Sequence, residues 1–286
     1  MVPRIFCFEL FIRPLGLLLL MNTCSKVFFI VDGASPTGRL IVEKLSQLGH
    51  RVYFGIQPSQ TALGLAPSMA TAMPLDLADD NLVSLAATGL LKAERRIDVI
   101  VNNLRDPLFG ALEMVSPNKA EAHLNATLIG MVRLQNAFLP IMRAQNAGRI
   151  VTIAPKTKLE NTSLRGWQRA VCEAEFALAE ALADELNGTG IDVEMIDVPS
   201  FEKNRKRPHS DLDKDLHQMV MPDVWDEFVR HIQNLFVKMP AADEQADQLV
   251  NALLSPPKPI KKPKKRESND WPQILLRSFG LVRGVR

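Results

Sequence analysis

Lys26 to Val31 (KVFFIV) is a continuous apolar run with no alternation, the pattern of a strand buried on both faces of a parallel sheet. A turn of small residues follows, Asp32-Gly33-Ala34-Ser35-Pro36-Thr37-Gly38. It opens a segment with Ile41, Val42, Leu45 and Leu48 on one helical face, and Gly49 ends that helix. Val52–Ile56 reads as a second strand, Ala72–Leu77 as a third, Leu82–Lys92 as a helix, and Ile97–Val101 as a fourth strand running into Asn102-Asn103. Lys119 to Gln145 has one long helical period, and Pro140 predicts a kink or break near its end. Arg149–Ala154 is the fifth strand, Trp167–Asn187 an alanine-rich helix stopped by Gly188, and Ile191–Val198 the sixth strand.

Strands alternating with helices of ten or more residues make βαβ units. These close only through right-handed crossovers and build a parallel sheet with helices on both faces. The pattern therefore predicts a single α/β domain with a doubly wound parallel sheet. Beyond Phe201 it loosens: Lys203–Lys214 reads as a charged loop, Pro222–Val237 as a helix over the open end of the sheet, and Glu244–Leu254 as the last regular helix. Pro256 to Arg266 (PPKPIKKPKKR) is a proline-lysine linker that cannot pack a core, followed by a basic, apolar segment from Trp271 to Arg286. The predicted organisation is an N-terminal extension over residues 1–23, the α/β domain over 24–255, and a linker with a short tail over 256–286.

Composition changes this picture little. The chain has 286 residues, 47% of them hydrophobic, and a net charge of +2, enough for one large core and too nearly neutral for a nucleic-acid binder. Cys7, Cys24 and Cys172 form neither a disulfide framework nor a zinc spacing, which favours a reducing, cytoplasmic setting and no metal. His50, His123, His209, His217 and His231 show no metal spacing either. Ile5 to Met21 is strongly apolar but carries Glu9, Arg13 and Pro14, and its uninterrupted part is too short to span a bilayer. Arg4 precedes the stretch as in a signal peptide, but no small-residue cleavage site follows before the first strand. Three readings stay open: a membrane-surface anchor, a packed extra segment, or an extension upstream of a domain that starts near Met21. At the other end, Lys258–Arg266 is a solvated linker or, with the apolar stretch behind it, a contact to an anionic membrane surface.

The motifs come in a telling order: Gly33-Ala34-Ser35-Pro36-Thr37-Gly38, Leu75-Asp76-Leu77, Ile97-Asp98-Val99-Ile100-Val101-Asn102-Asn103, Asn125, Phe138-Leu139-Pro140, Gly148-Arg149-Ile150-Val151, and Leu182-Ala183-Asp184-Glu185-Leu186 before Gly190-Ile191. In that order and spacing the chain resembles the short-chain dehydrogenases/reductases over roughly residues 24 to 255. The resemblance implies a Rossmann fold and an NAD(P) cofactor laid over the C-terminal edge of the sheet. Gly33, Ser35, Thr37 and Gly38 would face its pyrophosphate and ribose, Asp76 and Leu77 would flank the adenine, and Asn102 would lie near its middle. Asp76 also reads as a loop-capping carboxylate and Asn102 as a strand-end turn residue. The resemblance further implies a homo-oligomer through the helices at Lys119–Gln145 and Trp167–Asn187, where Ala170, Ala174, Ala177 and Ala181 allow close packing or suit a sheet-facing helix.

The departures from the family pattern fall on its chemistry. Asp32 stands where the family's turn has threonine, the Gly33–Gly38 interval is one residue short, and Leu104-Arg105 replaces two small residues after Asn103. The family's Tyr-x-x-x-Lys falls on Gln168 and Cys172, and its serine falls on Pro155. Only the helix asparagine has a counterpart, Asn125, and Tyr53, the single tyrosine, lies in an early strand. Lys156, Thr157 and Lys158 are the nearby groups that could substitute. No acidic residue ends the second strand at Gly55-Ile56-Gln57, which leans toward NADP, although no arginine stands in its place. The leading reading is a diverged member with a broken catalytic set that still binds a dinucleotide. The alternatives are a working NAD(P)-dependent oxidoreductase of a carbonyl or alcohol with an atypical site, and a membrane-surface adaptor.

Overall fold

The structure, a computed structural model, describes residues 25–58, 70–103, 108, 111–113, 115–155, 166–198, 230 and 242–260. In chain order these form β1 (Val27–Ile30), α1 (Pro36–Gln47), β2 (Arg51–Ile56), β3 (Ala70–Pro74), α2 (Asp80–Glu94), β4 (Val99–Asn102), α3 (Pro117–Leu124), a π turn (Asn125–Ile129), α4 (Gly130–Gln145), β5 (Gly148–Pro155), α5 (Gly166–Glu185), β6 (Ile191–Val198) and α6 (Ala242–Leu254). The six strands are all parallel and lie in the order β3-β2-β1-β4-β5-β6, the doubly wound arrangement that the sequence predicts. The order reverses between β1 and β4, so their C-terminal ends flank the crevice where such sheets bind ligands.

β1 is apolar throughout because it is covered on both faces. Phe29 packs among residues of α2, α4 and α5, with its ring centroid 4.9 Å from that of Phe138. Phe28 and Ile30 face the other layer, with Ile41, Val42 and Leu45 of α1 and Ala246, Leu249 and Leu253 of α6. Helix starts follow side-chain chemistry. Ser35, Asp79 and Ser116 cap α1, α2 and α3 by accepting from backbone N–H groups, and proline occupies the first turn of α1 and α3. Gly49, at φ 85°, takes the left-handed conformation after α1, as its sequence position predicts.

Three expectations need correction. The third strand runs over Ala70–Pro74 rather than 72–77, so Leu75, Asp76 and Leu77 form the loop that follows it. Pro140 does not end its helix, because α4 continues to Gln145. Pro140 and Asn136, the residue whose carbonyl loses its bond, are both exposed. The irregularity sits instead at the π turn that opens at Asn125. The alanines of α5 also do not face the sheet: Ala170, Ala177 and Ala181 are exposed, while Val171, Cys172, Glu175, Ala179 and Leu182 form the buried stripe. The expected N-terminal extension, the 203–214 loop and the tail beyond 260 lie outside the described residues, as does all but residue 230 of the expected 222–237 helix. No described helix is long and apolar enough to cross a membrane.

Candidate functional site

The turn after β1 is held tightly by its own atoms. Asp32 adopts φ 53°, a left-handed conformation that is uncommon for residues other than glycine, Asn and Asp. The Gly33 amide donates to the Gly55 carbonyl at 3.1 Å, which fixes the turn against the end of β2. A Cβ at Gly33 would lie 2.5 Å from the Cβ of Phe54, and one at Gly38 would lie 2.3 Å from the carbonyl oxygen of Asp32. Both glycines are thus required by close approach of the backbone. The Ser35 hydroxyl donates to the Asp32 carbonyl at 2.8 Å and accepts from the Gly38 amide at 3.1 Å and from Asn103 Nδ2 at 3.3 Å. Thr37 is fully buried in the first turn of α1.

Across the crevice, β4 ends in Asn102 and Asn103, both buried. The Oδ1 of each has no hydrogen-bond partner among the described residues. A buried acceptor left without a donor costs about 1–3 kcal/mol. Two such oxygens on consecutive residues at the switch point of the sheet suit a ligand that brings its own N–H or O–H donors. The remaining expected positions surround this edge. Asp76 is half-buried and its Oδ1 accepts from the Ala78 amide at 2.9 Å, the loop-capping role. Leu77 turns its side chain into the core, where a Cβ at Gly130 would come within 2.6 Å of it.

Asn125 opens the π turn, a feature often found at functional sites. Its carbonyl and that of Leu77 both accept from Arg133 Nη1, at 3.2 and 3.1 Å, and Arg133 Nε pairs with Asp80 at 2.7 Å. Arg133 therefore ties the Asp76–Leu77 loop to the π turn, a link that no sequence signal announces. Asn125 also lines an open groove of about 1160 Å³ with Leu128, Ile129 and Trp167.

The positions where the family's tyrosine and lysine are expected, Gln168 and Cys172, lie one turn apart on the buried stripe of α5. Glutamine has no proton to exchange near neutral pH, and a thiol carries no fixed positive charge. Glu175, three residues on, is 6% exposed, and burial pushes its carboxyl up to about 7. It stands two turns beyond Gln168, further along the same buried stripe. Tyr53 plays no part here. Its hydroxyl donates to Glu94 Oε1 at 2.6 Å, and Glu94 also pairs with Arg51 at the start of β2, so the phenol points to the opposite edge of the sheet. Burial raises its pKa further from the working range. Pro155 ends β5, while Leu104, Arg105, Lys156, Thr157 and Lys158 lie outside the described residues.

The polar atoms of the site fit a dinucleotide in part: the orphaned Asn102 and Asn103 oxygens and the close-packed glycine turn favour it, and Asp32 opposes it. Comparison with known proteins agrees with the fold. A 3-ketodihydrosphingosine reductase of Bacteroides thetaiotaomicron is 25% identical over 176 residues, 62% of this chain and 64% of that protein, so the chain spans less than two thirds of that relative's length. A short-chain dehydrogenase from Streptomyces avermitilis has the same fold, with a TM-score of 0.65 and 22% identity over 91% of this chain and 95% of its own. A metagenomic short-chain oxidoreductase solved in complex with NADP gives a TM-score of 0.54 at 26% identity, covering 60% of this chain and 81% of that one. The sequence profile described as short chain dehydrogenase matches residues 26–210, and with the parallel 3-2-1-4-5-6 sheet beneath it this chain belongs to the short chain dehydrogenase family.

Proposed function

We propose that this chain binds a nicotinamide dinucleotide, NADP(H) in preference to NAD(H), at the C-terminal edge of its sheet and is impaired in the proton transfer that must accompany hydride transfer. The observation that carries the reading is the identity of two buried residues: Gln168 and Cys172 stand where a proton donor and its cationic partner are needed. A bound nicotinamide supplies or accepts a hydride. The chain's own part is to bind, orient and exchange the proton. Gly33, Ser35, Thr37 and Gly38 would cradle the phosphates, Asp76 and Leu77 the adenine side, and Asn102 and Asn103 would accept from donors near the middle of the ligand. The NADP-bound neighbour supports the ligand class.

General acid–base catalysis is worth roughly 10²–10⁴ in rate, and a median enzyme turns over at about 10 s⁻¹. NADPH oxidation with 3-ketodihydrosphingosine, the substrate in the relative's name, is therefore expected to run below about 0.1 s⁻¹ while NADPH still binds. The double variant Gln168→Tyr/Cys172→Lys should raise it by at least tenfold. Wild-type turnover near 10 s⁻¹, lost on changing Asn125, would instead support the atypical-enzyme reading.

The same reading includes a homo-oligomer. The exposed alanine face of α5 lies beside Leu178 and Ile129, which are 37% and 46% exposed, and a second copy could cover that face. Light scattering on the eluting protein tests it; a monomer at micromolar concentration removes it. Membrane contact through the termini is tested by vesicle co-sedimentation of the full chain, with and without residues 261–286.

A further inference from the structure

At the N-terminal edge of the sheet α4 and α5 each run out into an asparagine, and the two main chains are held differently. Asn146-Ala147 follows α4, and Asn187-Gly188 follows α5 after Leu186. All four residues are exposed. At the first end the chain is tied down. The Ala147 amide donates to the Met142 carbonyl at 3.3 Å, and Asn146 sits at φ 51°. Gly190 packs so closely on that residue that a Cβ there would lie 2.2 Å from the Asn146 carbonyl oxygen.

At the second end the bonds pass Gly188 by. Among the described residues the Asn187 amide donates to the Asp184 carbonyl at 3.4 Å and the Thr189 amide to the Leu186 carbonyl at 3.0 Å, and the Gly188 amide between them donates to nothing. The side-chain amide of Asn187 makes no hydrogen bond there either. A Cβ built on Gly188 would meet no atom within 4 Å, so the space beside this peptide is open. Glycine brings no side chain of its own to block an approach to its nitrogen. Asn187-Gly188 is also the single Asn-Gly pair among the 286 residues of the sequence.

We propose that Asn187 is a site of spontaneous deamidation, the first place at which this protein is altered as it ages. The Gly188 nitrogen, deprotonated by hydroxide, attacks Cγ of Asn187. The new N–C bond closes a five-membered succinimide, the Cγ–Nδ2 bond breaks, and ammonia leaves. Solvent water then opens the ring at one carbonyl or the other, giving aspartate or isoaspartate. Nothing is oxidised or reduced, and water is the one co-reactant. Either product brings a negative charge to the C-terminus of α5, where the helix dipole is negative and Asp184 and Glu185 are already exposed. Isoaspartate also adds a methylene to the main chain in the turn that leads into β6. The site is independent of what the C-terminal edge of the sheet binds.

The test holds the purified full chain in mildly alkaline buffer, folded in one sample and unfolded in guanidinium in the other, with peptide mass spectrometry at intervals. An amide protected by the fold reacts only after local opening. Asn187 of the folded chain is therefore expected to convert at no less than about a tenth of its unfolded rate, and at least about tenfold faster than Asn146. Isoaspartyl methyltransferase should label aged wild type more strongly than aged Asn187→Gln, and the acidic shift on ion exchange should shrink in that variant. A folded rate below a tenth of the unfolded one, a rate at Asn146 that matches Asn187, or equal labelling of the two proteins would overturn the assignment.

Discussion

The two edges of the sheet are built from similar residue types and treat them differently. At the N-terminal edge the long polar side chains close bonds. Asp98 accepts from the Val27 amide at 2.7 Å, and Gln145 both accepts from the Ile97 amide and donates to its carbonyl, each at 2.9 Å. His50 has its pKa lowered by burial and by Lys26, and its Nδ1 accepts from the Lys26 amide at 3.3 Å. Arg149 and Glu194 form a buried ion pair, and the guanidinium also donates to the carbonyls of Ala252, Leu253 and Ser255, which caps α6. At the C-terminal edge Asn102 and Asn103 keep oxygens unpartnered among the described residues. Satisfied polar groups hold a fold together, whereas unsatisfied ones persist where something else completes them. The contrast separates a half whose polar groups are closed from a half that keeps some of them open, without reference to any relative.

The sharpest way to break this contrast is Arg149→Met. It strands Glu194 in the core and uncaps α6, so it should cost about 3–5 kcal/mol in denaturant unfolding while leaving the NADPH dissociation constant of the folded protein unchanged. A loss under about 1 kcal/mol would mean the N-terminal edge is not the anchor described.

Glu175 comes next, as a buried acid that belongs to neither edge's network. Its folded pKa, about 7, lies above the ordinary 4.5, so between those values the folded state holds a proton that the unfolded chain has released. Stability therefore falls as pH rises through that window, and above it the whole penalty remains. Glu175→Gln should stabilise the protein by about 3 kcal/mol at pH 8 and by almost nothing at pH 4.5, as read by melting curves at the two values. A gain that is the same at both pH values would remove the buried-carboxyl account.

The smallest effect expected is at the C-terminal edge itself. Ser35→Ala removes the cap of α1 at a cost of about 1 kcal/mol. Because Ser35 is also among the residues proposed to cradle the phosphates, the stability loss should come with a loss of NADPH affinity. Unchanged affinity would show that the hydroxyl serves the cap alone and remove Ser35 from the proposed binding set.

The strands and helices were legible because burial writes its period into the chain. β1 is apolar on both faces, and the capping residues mark where helices begin. The π turn was not legible, since one extra residue in a helical hydrogen-bond ladder leaves no compositional trace. Pro140 misled because its cost depends on which way the orphaned carbonyl faces, and Asn136 lies on the exposed side of α4. At the site, the sequence placed the turn. It offered loop capping as one reading of Asp76, but could not show that Arg133 joins two loops or that Arg39 folds back over the turn. The Arg133 link depends on a contact between residues 56 apart, which chain order does not pair.

Whether the C-terminal edge is a dinucleotide site at all is decided by calorimetric titration of the purified chain with NADPH. Saturable binding at micromolar to submillimolar concentration is expected, tighter than NADH, with hydride transfer to a ketone slow or absent. No heat of binding at millimolar NADPH or NADH would contradict the assignment, and would leave the unpartnered oxygens of Asn102 and Asn103 to a ligand of another kind.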